Sequence, residues 1–159
     1  MHYKEWALSV AGVGDVKVIP LWNGNGTVKV LVADVNKNAA SQELQKKVAD
    51  YIETVRPIGA TVTVTTPEYL SINVTANVSV NAAYSQNYAD ILKDALNAYL
   101  VNLGFDRDYV SIAQVGKVLL NSGAISDYDS LKINGGISNV KIPPGYLPRA
   151  GDIEVTKVE

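Results

Sequence analysis

The stretch Leu70 to Asn81 reads Leu-Ser-Ile-Asn-Val-Thr-Ala-Asn-Val-Ser-Val-Asn. Its even positions, Leu70, Ile72, Val74, Ala76, Val78 and Val80, are apolar; its odd positions are small and polar. Strand side chains alternate between two faces, so the pattern predicts a long strand with one dry face and one wet face. Burying Ile72, Val74, Val78 and Val80 contributes roughly 6–12 kcal/mol before entropy is charged. That gross term is comparable with the net stability of a whole domain, about 5–15 kcal/mol. A slip of one residue would bury Asn, Thr and Ser instead, so the register is firmly specified.

The rest of the chain must supply partners for that strand. Its 159 residues allow one domain of ordinary size or two small lobes sharing a contact. Hydrophobic residues make up 47%, enough for a core, and charged residues 19%, below the usual quarter. The net charge of -2, with no Lys/Arg cluster, disfavours DNA or RNA as a partner, because phosphate neutralisation needs several cations together. Cysteine is absent, which removes disulfides and thiolate chemistry and leaves the redox compartment open. No apolar run reaches membrane-spanning length, and Met1 to Trp6 lacks the apolar segment of a signal peptide. Tyr3, Trp6, Ala7 and Val10 have helical spacing but start without a cap. This favours a natural protein that continues upstream of Met1 over a short chain with a frayed first turn.

Along the chain, Gly12-Val13-Gly14 breaks the first helix and Asp15–Leu21 suits a strand. Asn23-Gly24-Asn25-Gly26 is a strong turn signal, followed by a returning strand over Thr27–Val35 with apolar residues on both faces. Ser41 caps a second helix whose core stripe is Leu44, Val48, Tyr51, Ile52 and Val55, and Arg56-Pro57 ends it. Ala60–Thr66 alternates Val and Thr as another strand, and Pro67-Glu68 marks a lobe boundary with a hinge. After the long strand, Asn87–Leu103 carries a helical stripe, with Gly104 as its stop. Ser111 and Gln114 fit a capping box for a helix that buries Ile112, Val115, Val118 and Leu119. Gly116 inside that helix costs near 1 kcal/mol, which predicts a close neighbour there. Leu131–Ile133, Asn134-Gly135-Gly136 and Asn139–Ile142 read as a hairpin, and Ile153, Val155 and Val158 as a last strand-like segment. The order is α-β-β-α-β over residues 1–66, then β-α-α-β-β-β over 67–159. This predicts an α+β fold of two small lobes, each with helices on a mostly antiparallel sheet.

Chemistry is poorly represented. The lone histidine, His2, stands near the chain start, and no catalytic, cofactor-binding or metal-binding residue is assigned. Asp106/Asp108 and Asp127/Asp129 lack the ligand series of a calcium loop and read as helix-flanking or turn carboxylates. The Asn23–Thr27 glycine-rich turn lacks the Lys-Ser/Thr of a phosphate loop and leads into a strand. Glu53, Glu68 or Asp90 could meet another acid in space, but nothing singles them out. The polar strand faces, Thr61/Thr63/Thr65 and Ser71/Asn73/Thr75/Asn77/Ser79, carry no charge. Two readings of them stand level: a solvated sheet face, or a surface that pairs with other subunits. The nine tyrosines lean weakly towards contact surfaces.

Several segments resemble the baseplate J family of contractile phage tails. They are His2–Ala7, Val13–Gly24 (which includes Pro-Leu-Trp-Asn-Gly), Gly26–Val30 and Val55–Ala60 (which includes Arg-Pro-Ile-Gly-Ala). Tyr109–Ser111, Leu120-Asn121 and Leu131–Gly136 extend the similarity over nearly the whole chain. The resemblance implies a structural component of a phage or prophage tail baseplate wedge that mediates subunit assembly. It implies other baseplate and tail proteins as partners, oligomerisation into a ring, and a place in the virion tail assembled in the host cytoplasm. It also implies an upstream portion missing here, and the family has no catalytic motif to carry over; no cofactor is assigned. The rival reading is a carbohydrate- or peptide-binding module in which Trp22, beside a turn, stacks on a ligand ring. A hydrolase with a carboxylate pair is the remote third.

Overall fold

The computed structural model describes residues 2–158, so the reading placed on Met1 lies outside the described residues. The chain forms two compact units. One runs up to Glu68 and includes Pro144–Leu147; the other takes Tyr69–Pro143 and the residues from Pro148 onward.

The first unit contains α1 (His2–Leu8), β1 (Val13–Pro20), β2 (Thr27–Asp34), α2 (Gln42–Val55) and β3 (Thr61–Thr65). The sheet order is β1-β2-β3, with β1 antiparallel and β3 parallel to β2. Antiparallel neighbours can be joined by a tight turn, whereas parallel neighbours need a long crossover, here α2. One of the two pairings in this unit is therefore parallel, against the mostly antiparallel expectation. Ser41 caps α2: its Oγ accepts from the Leu44 N–H at 3.1 Å. Arg56, before Pro57, is extended and closes the helix. Ala7, Val16, Val30, Val32, Val48 and Ile52 form the core, with Tyr3, Trp6 and Leu44 at its margin. Tyr51, expected in the stripe, is 39% exposed. Val48 and Ile52 hold the centre of the stripe, and a flanking tyrosine keeps its hydroxyl near water. Leu31 and Ala33 are buried on the opposite face of β2. A Cβ on Gly145 would lie 4.0 Å from Leu31 Cδ1, so the 144–147 segment helps to cover that face.

The second unit is built on β4 (Glu68–Val80). It continues through a 3-10 turn (Ala82–Tyr84), α3 (Tyr88–Leu103), β5 (Tyr109–Val110), α4 (Ile112–Asn121), β6 (Ile125–Ile133), β7 (Val140–Lys141) and β8 (Tyr146–Lys157). The main sheet is ordered β6-β4-β8, and β5 and β7 make a small antiparallel ribbon. Ile72, Val74, Ala76 and Val78 are buried while Ser71, Asn73 and Thr75 are exposed, the alternation read from the sequence. Val74 faces Ile133, Asn77 faces Asp129 and Ser79 faces Asp127. Leu92, Leu96 and Leu100 form the fully buried stripe of α3. In α4, Val115, Gly116 and Leu119 are buried, and Ile112 and Val118 are half-buried. The close neighbour predicted at Gly116 is Tyr128, whose Oη would stand 2.0 Å from an added Cβ. Ser111 Oγ accepts from the Gln114 N–H at 3.3 Å, the half of the expected capping box that forms.

The α+β class holds, with several differences in detail. Asn134 and Gly135 have positive φ (49° and 79°) and make the expected tight turn. The strand that follows, β7, pairs with β5 and does not return along β6. Asp127 and Asp129, expected in a turn, lie in β6. The last strand starts at Tyr146, well before Ile153, and runs through Pro148 and Gly151. It is an outer strand of its sheet, where proline is tolerated.

Candidate assembly surfaces

The wet face of β4 is the first candidate. Its side chains are partly occupied within the sheet. Asn77 Nδ2 donates to Asp129 Oδ1 at 3.0 Å, and Asn73 Oδ1 accepts from the Asp152 N–H at 2.9 Å. Asn134 Oδ1 accepts from the Asn73 N–H at 2.8 Å, and Asn134 Nδ2 donates to Ser71 O at 3.2 Å. Gly151 packs here because an added Cβ would fall 2.1 Å from Asn73 Oδ1. Asp127 and Asp129 lie on the β6 side, and Asp152 and Glu154 belong to β8. The uncharged row therefore sits among carboxylates from neighbouring strands, which the one-strand pattern did not show. An open depression of about 290 Å³ is lined by Thr75, Asn77, Ser130, Lys132, Glu154 and Thr156.

The second candidate lies where β1, β2 and β3 meet their loops. The 21–26 loop is tied by Leu21 N–H to Thr27 O (2.8 Å), Thr27 Oγ1 to Gly24 O (2.6 Å) and Asn23 N–H to Thr27 Oγ1 (3.1 Å). The Thr61 N–H donates to Gly26 O at 2.8 Å and joins this loop to the 57–60 loop. Arg56 stiffens the latter by donating to Pro57 O (3.2 Å) and Ala60 O (2.9 Å). Arg56 also holds Glu53 at 2.6 Å, and this keeps the Glu53 carboxyl below its usual range. Out of these tied loops project Leu21 (62% exposed), Trp22 (42%) and Ile58 (103%). Leu21 has φ +56°, a left-handed conformation that costs a bulky residue roughly 1–3 kcal/mol. The Lys29 ammonium stands 4.9 Å from the Trp22 ring centroid, so a cation already occupies that side of the indole proposed for sugar stacking.

A third feature is a cavity of about 250 Å³ lined by Tyr99, Leu103, Arg107, Tyr109, Ser111 and Gln114. Burial pushes the Tyr99 phenol up, with Arg107 opposing. His2 is exposed, stacks on Trp6 and stands 3.7 Å from Glu5. Glu68 adjoins Tyr146 and raises its phenol pKa. Among the described residues no three His, Asp or Glu side chains gather to hold a metal. No helix of the described residues is long and apolar enough to cross a membrane.

The profile of the Baseplate J-like central domain matches residues 1–66, and that of the Baseplate J-like protein C-terminal domain matches residues 72–156. The phage-like element PBSX protein XkdT of Bacillus subtilis (strain 168) is 35% identical over 164 residues, covering 98% of this chain and 47% of that protein. The uncharacterized protein YqbT of the same strain is 37% identical over 163 residues, with 97% and 47% coverage. The chain thus spans about half the length of the curated relatives it matches. Among solved structures, a chain of the anti-feeding prophage (AFP) baseplate, a 6-fold symmetrised cryo-EM structure, shares the fold. Its TM-score is 0.72 at 15% identity, over 95% of this chain and 37% of that one. With family profiles matching 1–66 and 72–156 and relatives aligned along its length, the chain belongs to the baseplate J-like protein family.

Proposed function

We propose that this chain is a structural part of a phage or prophage tail baseplate wedge, and that it works by fitting against neighbouring subunits without making or breaking bonds. The observation that carries the reading is the pair of baseplate J-like profiles covering residues 1–66 and 72–156. The prophage relative and the fold shared with a baseplate chain support it. In this reading the protein is built into the plate in the host cytoplasm, its partners are other baseplate and tail proteins, and copies repeat around a ring. The polar face of β4 and the tied loops of the first unit supply contact surfaces. A hinge near Pro67, between β3 and β4, belongs to this reading, and it requires the chain to yield also at the 144–147 segment, where it passes between the units again; limited proteolysis that never cuts between Thr66 and Leu70, together with one cooperative unfolding step, counts against it.

Deletion of the gene, followed by electron microscopy of induced particles, tests the proposal. The expected result is loss of complete baseplates, with restoration by the intact gene. Normal, functional tails made without the protein contradict it.

A further inference from the structure

We infer that the cavity at the ends of α3 and α4 receives a carboxylate side chain from the outer sheet face of a second copy of this chain, so that neighbouring copies meet head to tail. The inference rests on the ring of copies proposed above and names the two surfaces that close it. The receiving surface is one cavity of about 250 Å³. Tyr99 and Leu103 of α3, Arg107 of the connecting loop, Tyr109 of β5, and Ser111 and Gln114 at the start of α4 line it. The charge of the Arg107 guanidinium reaches the half-buried Tyr99 phenol. Lys141 is set opposite Tyr109 in the β5–β7 ribbon, and cross-strand partners share a face, so a second cation stands beside the cavity. Among the described residues the ion pairs are His2–Glu5, Lys46–Asp50, Lys47–Glu43 and Arg56–Glu53, and neither Arg107 nor Lys141 belongs to them. Asp106 and Asp108 adjoin Arg107 in sequence without pairing with it. A guanidinium meets a carboxylate through two parallel hydrogen bonds, and phenol, hydroxyl and amide donors satisfy the lone pairs that remain.

The complementary group lies on the same unit. Tyr128 points at Gly116 of α4, so its strand neighbours Asp127 and Asp129 turn away from the helices. Asp129 accepts from Asn77, and Asn77 lines the open depression of about 290 Å³ together with Lys132 and Glu154. Asp152, two residues before Glu154, is exposed as well. None of these four carboxylates belongs to an ion pair among the described residues. The unit thus carries unpaired cations around a cavity in its helical layer and unpaired carboxylates on the far face of its sheet. Two unlike, complementary patches make a heterologous contact, which repeats head to tail and closes into a ring where the rotation allows. A two-fold contact through either patch sets cation against cation or acid against acid, an arrangement that is costly. Glu154 has a longer side chain than the three aspartates and is the group that enters the cavity.

The test uses particles made in a host deleted for the gene and supplied with wild type or variant. Arg107→Glu should lower the yield of complete baseplates about tenfold or more, the loss expected when a close charge pair becomes a repulsion. Lys141→Glu should act in the same direction. Adding Glu154→Arg to Arg107→Glu should restore most of the yield. All three side chains are exposed, so melting temperatures should stay within about 2 °C of wild type. The chain has no cysteine, so Gln114→Cys in the cavity and Thr156→Cys beside Glu154 probe the contact with both charges kept. A short bifunctional maleimide added to purified particles should produce a ladder of linked chains from the double cysteine variant. Neither single variant should link to a second copy. Full yield with Arg107→Glu overturns the inference, as does failure of Glu154→Arg to recover any of the loss. A link between two copies of one single variant, which requires a two-fold contact, overturns it too. So does linkage of the Gln114→Cys variant only to a different protein. If Arg107→Glu melts far below wild type, the ladder decides alone. If wild type is absent from particles the proposed function fails as well; if wild type enters and the double cysteine variant enters without a ladder, only the head-to-tail contact is lost.

Discussion

The central strands of the two units solve the same problem differently. In β2 the run Val30-Leu31-Val32-Ala33 is buried at every position, because α1 and α2 cover one face and the 144–147 segment contributes to the other. In β4 burial alternates, with Ile72, Val74, Ala76 and Val78 inside and their odd-numbered neighbours outward. A strand covered on both sides leaves little sheet face to present, so the first unit offers its loops. A strand covered on one side leaves a broad polar face, flanked here by Asp127, Asp129, Asp152 and Glu154. Burial of the central strand thus decides which kind of surface each unit can offer to a neighbour.

Paired substitutions give the sharpest test of this contrast. Leu31→Ala should cost about 2–5 kcal/mol and adjacent Val32→Ala about 1.5–3 kcal/mol, because both faces of β2 are buried. In β4, Ile72→Ala should also cost about 2–5 kcal/mol, whereas Ser71→Ala should stay within roughly 0.5 kcal/mol. Chemical denaturation measures all four; equal costs at 71 and 72 would break the comparison. Leu147→Ala should likewise cost about 2–5 kcal/mol, since that side chain is fully buried in a segment remote in sequence from the rest of the first unit. Gly116→Ala should destabilise by roughly 1–3 kcal/mol, because Tyr128 must move. Added truncation of Tyr128 to leucine should recover part of that loss.

Smaller effects belong to the helix ends and charges. Ser41→Ala and Ser111→Ala should each cost about 1 kcal/mol, one cap in each unit. Glu53, whose folded pKa is lowered by its hydrogen bonds from Arg56, gives stability that is present above its unfolded pKa and lost as pH falls through the folded value. Glu53→Gln should therefore flatten the acid limb of the stability–pH curve slightly. Tyr146, raised by Glu68, works in the opposite sense: its contribution is present below the unfolded phenol pKa and lost as pH rises through the folded one.

Much of this architecture is legible in local pattern. The alternation of β4, the leucine stripe of α3 and the Ser41 cap each arise from residues close in sequence, whereas Gly116 signals a close neighbour without showing that it is Tyr128. Pairings set by distant residues are less legible. The parallel β2–β3 pairing depends on α2 acting as a crossover, and β5 and β7 are too short to show a period. The long β8 hides behind Pro148 and Gly151, which punctuate a sequence but are accommodated in an outer strand beside Asn73. Asp127 and Asp129 resemble turn residues until Ser79 and Asn77 are set opposite them. For the candidate surfaces, the polar row of β4 can be read directly, but its acidic flanks come from β6 and β8. Trp22 is conspicuous in the sequence, whereas the joining of its loop to the 57–60 loop depends on the Thr61–Gly26 backbone bond.

The most direct measurement is a cryo-EM map of the tail particle made by the host of this protein. The account predicts density for both units within the plate at the tail tip, repeated around its axis, with side-chain contacts to other proteins. A complete plate whose density is fully assigned without this chain would contradict it.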